Sequence, residues 1–204
     1  MVRTMSRFLP GIAAMAAIVV ASNVLVQFTL GDWLTWGAFT YPFAFLVTDV
    51  MNRVYGVESA RRVVLFGFVT GVICSLIAVG LDKTTLRIAL ASGSGFLVAQ
   101  LVDVSVFNAL RDRQWWVAPL ISTLIGSITD TALFFSIAFS TALPPDANTG
   151  WSNEALPLLG AGPEAPLWAS LAVADWSVKI ALALLALVPF QIIVRNLLRS
   201  QRQI

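Results

Sequence analysis

Several polar side chains stand inside runs that are otherwise apolar, and their spacing is helical. Gln100 and Asp103 are three apart, Asp175 and Lys179 four apart, Asp49 and Arg53 four apart, and Asn23 and Gln27 four apart. Thr123, Ser127 and Asp130 follow one another at spacings of four and three. On a helix each set shares one face. Ser92 and Phe96 extend the Gln100 stripe. Such groups can bind a small polar ligand: a carboxylate accepts N–H donors or carries a proton, amides donate and accept, and a lysine neutralises.

Other chemistry is excluded. The chain has no histidine and a single cysteine, Cys74. That removes His-based metal sites, proton relays and triads, and any intrachain disulfide. No GxxxxGK[ST] segment is present, so the chain has no P-loop of its own. A pair of aspartates in apolar runs suggests an aspartyl protease, but Asp103 follows Gln-Leu-Val rather than a Gly-x-Gly turn. The chain reads as a non-enzyme without cofactor or metal.

The elements that position these groups follow from composition. The chain has 204 residues, 58% hydrophobic and 12% charged, with a mean hydropathy of +0.83. Soluble domains carry roughly a quarter charged residues, so the bilayer is the expected solvent. The net charge of +2 gives no sign of a nucleic-acid partner. Apolar segments at 9–30, 34–55, 63–81, 88–110, 117–139 and 167–194 are each long enough to span. Backbone in lipid must bond internally. The expected fold is therefore all-α: a polytopic bundle of six transmembrane helices in a single domain, 1–204. The first run is too long for a signal peptide and ends in no clear cleavage site.

Charge sets the orientation. With the N-terminus inside, ten of 13 basic residues fall on cytoplasmic segments: Arg3, Arg7, Arg53, Arg61, Arg62, Arg111, Arg113, Arg195, Arg199 and Arg202. Lys83 and Arg87 fall outside, and Lys179 lies within the last helix. The positive-inside rule then puts both termini in the cytoplasm. Trp33, Trp36, Trp115, Trp116 and Trp168 sit near segment ends as interfacial anchors. The proline-rich loop 141–166 has no Lys or Arg and faces outside as a connector.

Charges in hydrocarbon are costly and usually functional. Asp49–Arg53 also reads as an interfacial salt bridge, and Asp175–Lys179 as a self-neutralising pair. Lys179 can instead neutralise Asp103 or Asp130 across the bundle. Two carboxylates facing one lysine leave a charge for a ligand or proton to balance, which favours function for Gln100, Asp103 and Asp130. Pro42, inside the second run, predicts a kink, and broken helices line many transporter sites. Gly67 and Gly71 read as a close-packing face that permits a homodimer without requiring one.

Long ordered blocks resemble a known family. Asp32–Arg53 (DWLTWGAFTYPFAFLVTDVMNR), Ala21–Gln27 (ASNVLVQ), Val98–Arg111 (VAQLVDVSVFNALR), Trp115–Phe139 (WWVAPLISTLIGSITDTALFFSIAF) and Val173–Lys179 (VADWSVK) look like queuosine precursor transporters of the vitamin uptake transporter family. The loop 141–166 is longer than the family's usual one. The resemblance implies a bacterial inner-membrane protein importing 7-cyano-7-deazaguanine, with 7-aminomethyl-7-deazaguanine as a second candidate, for tRNA queuosine. A small-molecule base and the lipid bilayer are the implied partners. The alternative is the substrate-binding subunit of an energy-coupling-factor importer for a vitamin or purine-like compound.

A deazaguanine presents an N1–H and an exocyclic amine on one edge, which suit a carboxylate. Asp103 or Asp130 could accept both. Gln100 and Asn23 suit the carbonyl edge, and Phe96, Phe134 or Trp176 the ring face. The expected substrate-facing set is Asn23, Gln27, Phe96, Gln100, Asp103, Ser127, Asp130, Phe134, Trp176 and Lys179. Asp49, Arg53 and Asp175 are the expected coupling or gating groups.

Overall fold

The computed structural model describes residues 8–144 and 148–201. Arg3, Arg7 and Arg202 of the charge count, and Pro145 and Asp146 of the long loop, lie outside the described residues.

Helix α1 is Leu9–Leu25, with proline in its first turn, where the missing N–H costs nothing. A two-residue ribbon follows: β1 (Thr29–Leu30) pairs antiparallel with β2 (Leu34–Thr35). Gly31, at φ +65°, supplies the left-handed turn. Then come α2 (Gly37–Thr40), α3 (Phe43–Tyr55) and α4 (Val57–Gly80). Gly56, at φ +85°, reverses the chain between α3 and α4. Helix α5 is Leu86–Leu110, capped where Thr85 Oγ1 accepts from Ile88 N at 3.2 Å. Helix α6 is Val117–Phe139. Short 3₁₀ turns and a second ribbon, β3 (Ala155–Pro157) with β4 (Glu164–Pro166), lead to α7 (Leu167–Gln201).

The architecture is that of an all-α membrane protein. Helices α4, α5, α6 and α7 are long and apolar enough to cross a membrane, and α1 is a shorter apolar helix. At 35 residues, α7 is about 52 Å long, well beyond the ~30 Å hydrocarbon core. Large side chains such as Leu65, Phe66, Val69 and Ile73 on α4, and Leu184, Leu185, Val188 and Ile192 on α7, point outward. Apolar residues on the outside and polar ones within are what a lipid solvent requires.

One expectation needs correction. The segment 34–55 is not a continuous helix. Its first residues pair as β2, and the helix then breaks at Tyr41–Pro42 between α2 and α3. Proline cannot donate to the carbonyl four residues back and its ring crowds it, so the helix restarts there. The first helix likewise stops at Leu25 rather than Leu30, because the chain turns into the ribbon.

Small residues let the helices close on one another. A Cβ on Gly67 would come within 2.6 Å of Met15 Cγ, and one on Gly71 within 3.4 Å of Val19 Cγ1, so the GxxxG face of α4 seats α1. Gly126 of α6 does the same against Ala99 O and Asp103 Cβ of α5. Arg87 ties the far end of α6 down. Its guanidinium donates to Ile137 O, Ser140 O and Pro144 O, satisfying carbonyls left open by the helix end. The long loop folds back on the ribbon: Trp33 stands 3.4 Å from the Cβ position of Gly160.

Candidate functional site

The site is built on α6 and α7. Lys179 is 4% exposed and Asp130 5%. Lys179 Nζ donates to Asp130 Oδ2 at 2.7 Å, to Asp175 Oδ2 at 2.5 Å and to Thr131 Oγ1 at 3.0 Å. All three ammonium protons are therefore used. Thr131 Oγ1 accepts from the lysine and donates its own hydroxyl hydrogen bond to Asp175 Oδ2 at 3.0 Å. The arrangement is closed on the lysine side and open on the acid side. Two acids thus share one ammonium.

Asp130 Oδ1 is turned away from the lysine, whose bond goes to Oδ2. Its one donor is the Tyr41 hydroxyl, at 3.4 Å. Tyr41 stands at the helix break, and Lys179 Nζ lies 5.7 Å from its ring centroid, within cation–π range. The break also places Thr40, whose hydroxyl bonds Ser22 Oγ at 2.9 Å and joins α2 to α1. Gly95 of α5 passes so close that a Cβ there would sit 3.1 Å from Asp130 Oδ1.

A cavity of about 130 Å³ lies over this floor. One water needs roughly 10–15 Å³, so the space holds far more than a bridging solvent molecule. Asn23, Tyr41, Asp130, Phe134, Asp175 and Lys179 line it, with Phe135, Ser92 and Gly37. Asn23 holds its own amide by donating to Val19 O at 2.9 Å, and its carbonyl oxygen takes Ser75 Oγ at 3.4 Å. The walls are mostly apolar with a few convergent polar groups, as a small-molecule site should be.

The structure thus gathers Asn23, Asp130, Phe134, Asp175 and Lys179 and leaves the other expected residues elsewhere. Gln27 lies past the end of α1 in an exposed turn, so it shares no helical face with Asn23. Ser127 bonds back to Leu124 O at 3.0 Å. Trp176 lines a separate apolar groove with Trp168, Phe135 and Val173. Phe96 packs edge-on to Tyr41 from outside the cavity, with centroids 5.9 Å apart. Gln100 is buried, its Oε1 taking the Thr48 hydroxyl at 2.6 Å.

Asp103 and Asp49 belong to a second cluster, joined by Ser122 and Thr123 of α6. Asp49 accepts from Ser122 Oγ and Thr123 Oγ1, each at 3.2 Å. The expected Asp49–Arg53 salt bridge does not form. Arg53 instead donates to Arg111 O, and Arg111 to Asn52 O at 3.3 Å, because each guanidinium lies at the helix ends where carbonyls are free.

Reading the sequence missed Tyr41, Thr131 and the Ser22–Thr40 bond. A tyrosine directly before a proline inside an apolar run is the one signal that could have marked the break as part of a site.

Residues 35–194 match a family described as putative vitamin uptake transporter. The chain is 32% identical over 200 residues to the queuosine precursor transporter of Escherichia coli K12, covering 89% of this chain and 83% of that protein. It is 34% identical over 185 residues to a probable queuosine precursor transporter of Haemophilus influenzae, covering 83% and 72%. A probable queuosine precursor transporter of Bacillus subtilis is 27% identical over 194 residues, covering 82% and 76%. No solved structure matches the chain significantly.

Proposed function

The chain belongs to the putative vitamin uptake transporter family, and from that premise we propose that it imports queuosine precursors across the bacterial inner membrane as a multi-pass transporter. The observation that carries the reading is the acid-rich floor of the cavity. Among the described residues Asp130 Oδ1 accepts only a long bond from Tyr41, and two acids share one ammonium. A 7-deazaguanine places N1–H and its exocyclic amine in line with such a carboxylate. Asn23 stands at the cavity wall for the carbonyl edge, and Phe134 and Tyr41 offer ring faces. The cargo is 7-cyano-7-deazaguanine, with 7-aminomethyl-7-deazaguanine as the second candidate.

Orientation follows from the basic residues. Arg53, Arg111, Arg113, Arg195 and Arg199 sit towards one end of the bundle, and the cavity lies towards the other, near the end of α1 and the start of α7. With the arginines in the cytoplasm, the cavity is the outward-facing binding site of an alternating-access cycle. Both termini are then cytoplasmic, and the helix broken at Pro42 crosses as the second of six spans.

The test is a rescue assay. In cells that can neither make nor import queuosine precursors, expression of this chain with external 7-cyano-7-deazaguanine should restore queuosine in tRNA. No restoration, with the protein present in the membrane, would refute the reading.

A further inference from the structure

We propose that Asp49 and Asp103 form a proton-binding dyad that couples import to the proton gradient and is separate from the substrate cavity. The coupling half of the proposal rests on the transport reading above; the proton-binding half does not. The Asp103 carboxyl is fully buried and lies against that of Asp49. Ser122 Oγ has Asp49 Oδ1 at 3.2 Å and Pro119 O at 3.4 Å as acceptors, and among the described residues neither oxygen of Asp103 has a hydrogen-bond donor in place. Asn52 Oδ1, one turn along α3 from Asp49, is buried and equally without a donor. A void of about 10 Å³, enough for roughly one water, adjoins Asp49 and Thr123 and reaches Pro42 at the helix break.

Two carboxyl groups in contact cannot both be acceptors. One must be the acid, and the proton then bridges the pair. No cation takes that place among the described residues. Arg53 and Arg111 are committed to backbone carbonyls, Lys179 is saturated by Asp130, Asp175 and Thr131, and Arg61 pairs with Glu58 at the surface. Helix α6 presents the Ser122 and Thr123 hydroxyls, Gly126 and Pro119 to the dyad and its void, and α7 lines the void with Ala183, Ala186, Leu187 and Phe190, none of them charged. Direct carboxyl contact also favours a proton over a sodium ion, which needs a shell of oxygens around an open centre.

The dyad and the cavity share helices. Thr123 and Asp130 are seven residues apart on α6, about 10 Å along the axis. Tyr41 and Asp49 bracket the break into α3. Moving α6 against α3 to reopen the cavity on the other side would separate Asp49 from Ser122 and Thr123. The dyad would then release its proton, Asp–COOH becoming Asp–COO⁻ and H⁺, into the cytoplasm.

The test uses the full chain in lipid vesicles. Infrared spectra at neutral pH should show the carbonyl stretch of a buried carboxylic acid, and Asp103→Asn or Asp49→Asn should each remove it. Its absence in the unmodified protein, or its survival in both variants, overturns the dyad. In transport, an inward gradient of one pH unit should raise accumulation of 7-cyano-7-deazaguanine about tenfold. Asp103→Asn should still exchange internal for external precursor but lose gradient-driven accumulation; Asp49→Asn serves if it does not fold. Accumulation indifferent to pH, or driven by sodium, overturns coupling. If the unmodified protein moves no precursor at all, the substrate reading fails and the infrared band alone decides the proton site.

Discussion

Asp130→Asn is expected to abolish precursor uptake while leaving the bundle folded. The substitution keeps the size of the side chain but replaces one acceptor oxygen with a donor. An amide cannot accept two N–H groups from a guanine-like edge, so one donor of the base is left facing another. Losing one partner of a buried charged hydrogen bond costs about 2–5 kcal/mol, or roughly thirty- to several-thousand-fold in affinity. Folding should survive because Lys179 keeps Asp175 and Thr131. Binding of 7-cyano-7-deazaguanine to the purified protein, followed by calorimetry or by thermal shift, checks this. Unchanged affinity in a well-folded Asp130→Asn protein would remove Asp130 from the site.

The second large effect is on stability. Lys179→Met should cost about 3–5 kcal/mol, because it strands the buried Asp130 and the half-buried Asp175 with no counter-charge. For a chain of this size that corresponds to a fall of about 6–20 °C in melting temperature. Adding Asp175→Asn should recover part of the loss, since one stranded charge then disappears. The melting temperatures of both variants in detergent decide it. Equal stability of Lys179→Met and the unmodified protein would mean the ammonium is not what holds α6 to α7. The two substitutions therefore separate ligand binding from assembly within one cluster.

Much of this was legible beforehand. The segment 117–139 appears as a helix with those bounds, since a long apolar run in lipid has no other means of bonding its backbone. The same reasoning failed at 34–55. There it imposed a helix on Leu34 and Thr35, which pair in a ribbon after the turn at Gly31, while the break at Pro42 is the kink that the proline predicted. Asp175 and Lys179 pair as their four-residue spacing suggests. Which aspartate meets Lys179 across the bundle was open between Asp103 and Asp130, because periodicity fixes a face but not which neighbour that face meets. Gly95 and Gly126 settle it physically: each lets α5 and α6 approach closely, one beside Asp130 and the other beside Asp103. The aspartates thereby enter separate clusters. Of the expected stripe only Ser92 reaches the cavity; Phe96 and Gln100 turn toward α4 and α3 instead.

The saturated ammonium has a further consequence, for covalent labelling. The chain contains two lysines. Lys83 sits exposed in the turn after α4, whereas Lys179 has every proton engaged beneath the cavity. Acylation needs attack by an amine with a free lone pair, so Lys83 measures reagent dose and Lys179 reacts only when its cluster comes apart and its ammonium gives up a proton. The ratio of the two modifications, read by mass spectrometry, is then a built-in clock for how often the floor of the site opens, without any probe having been introduced.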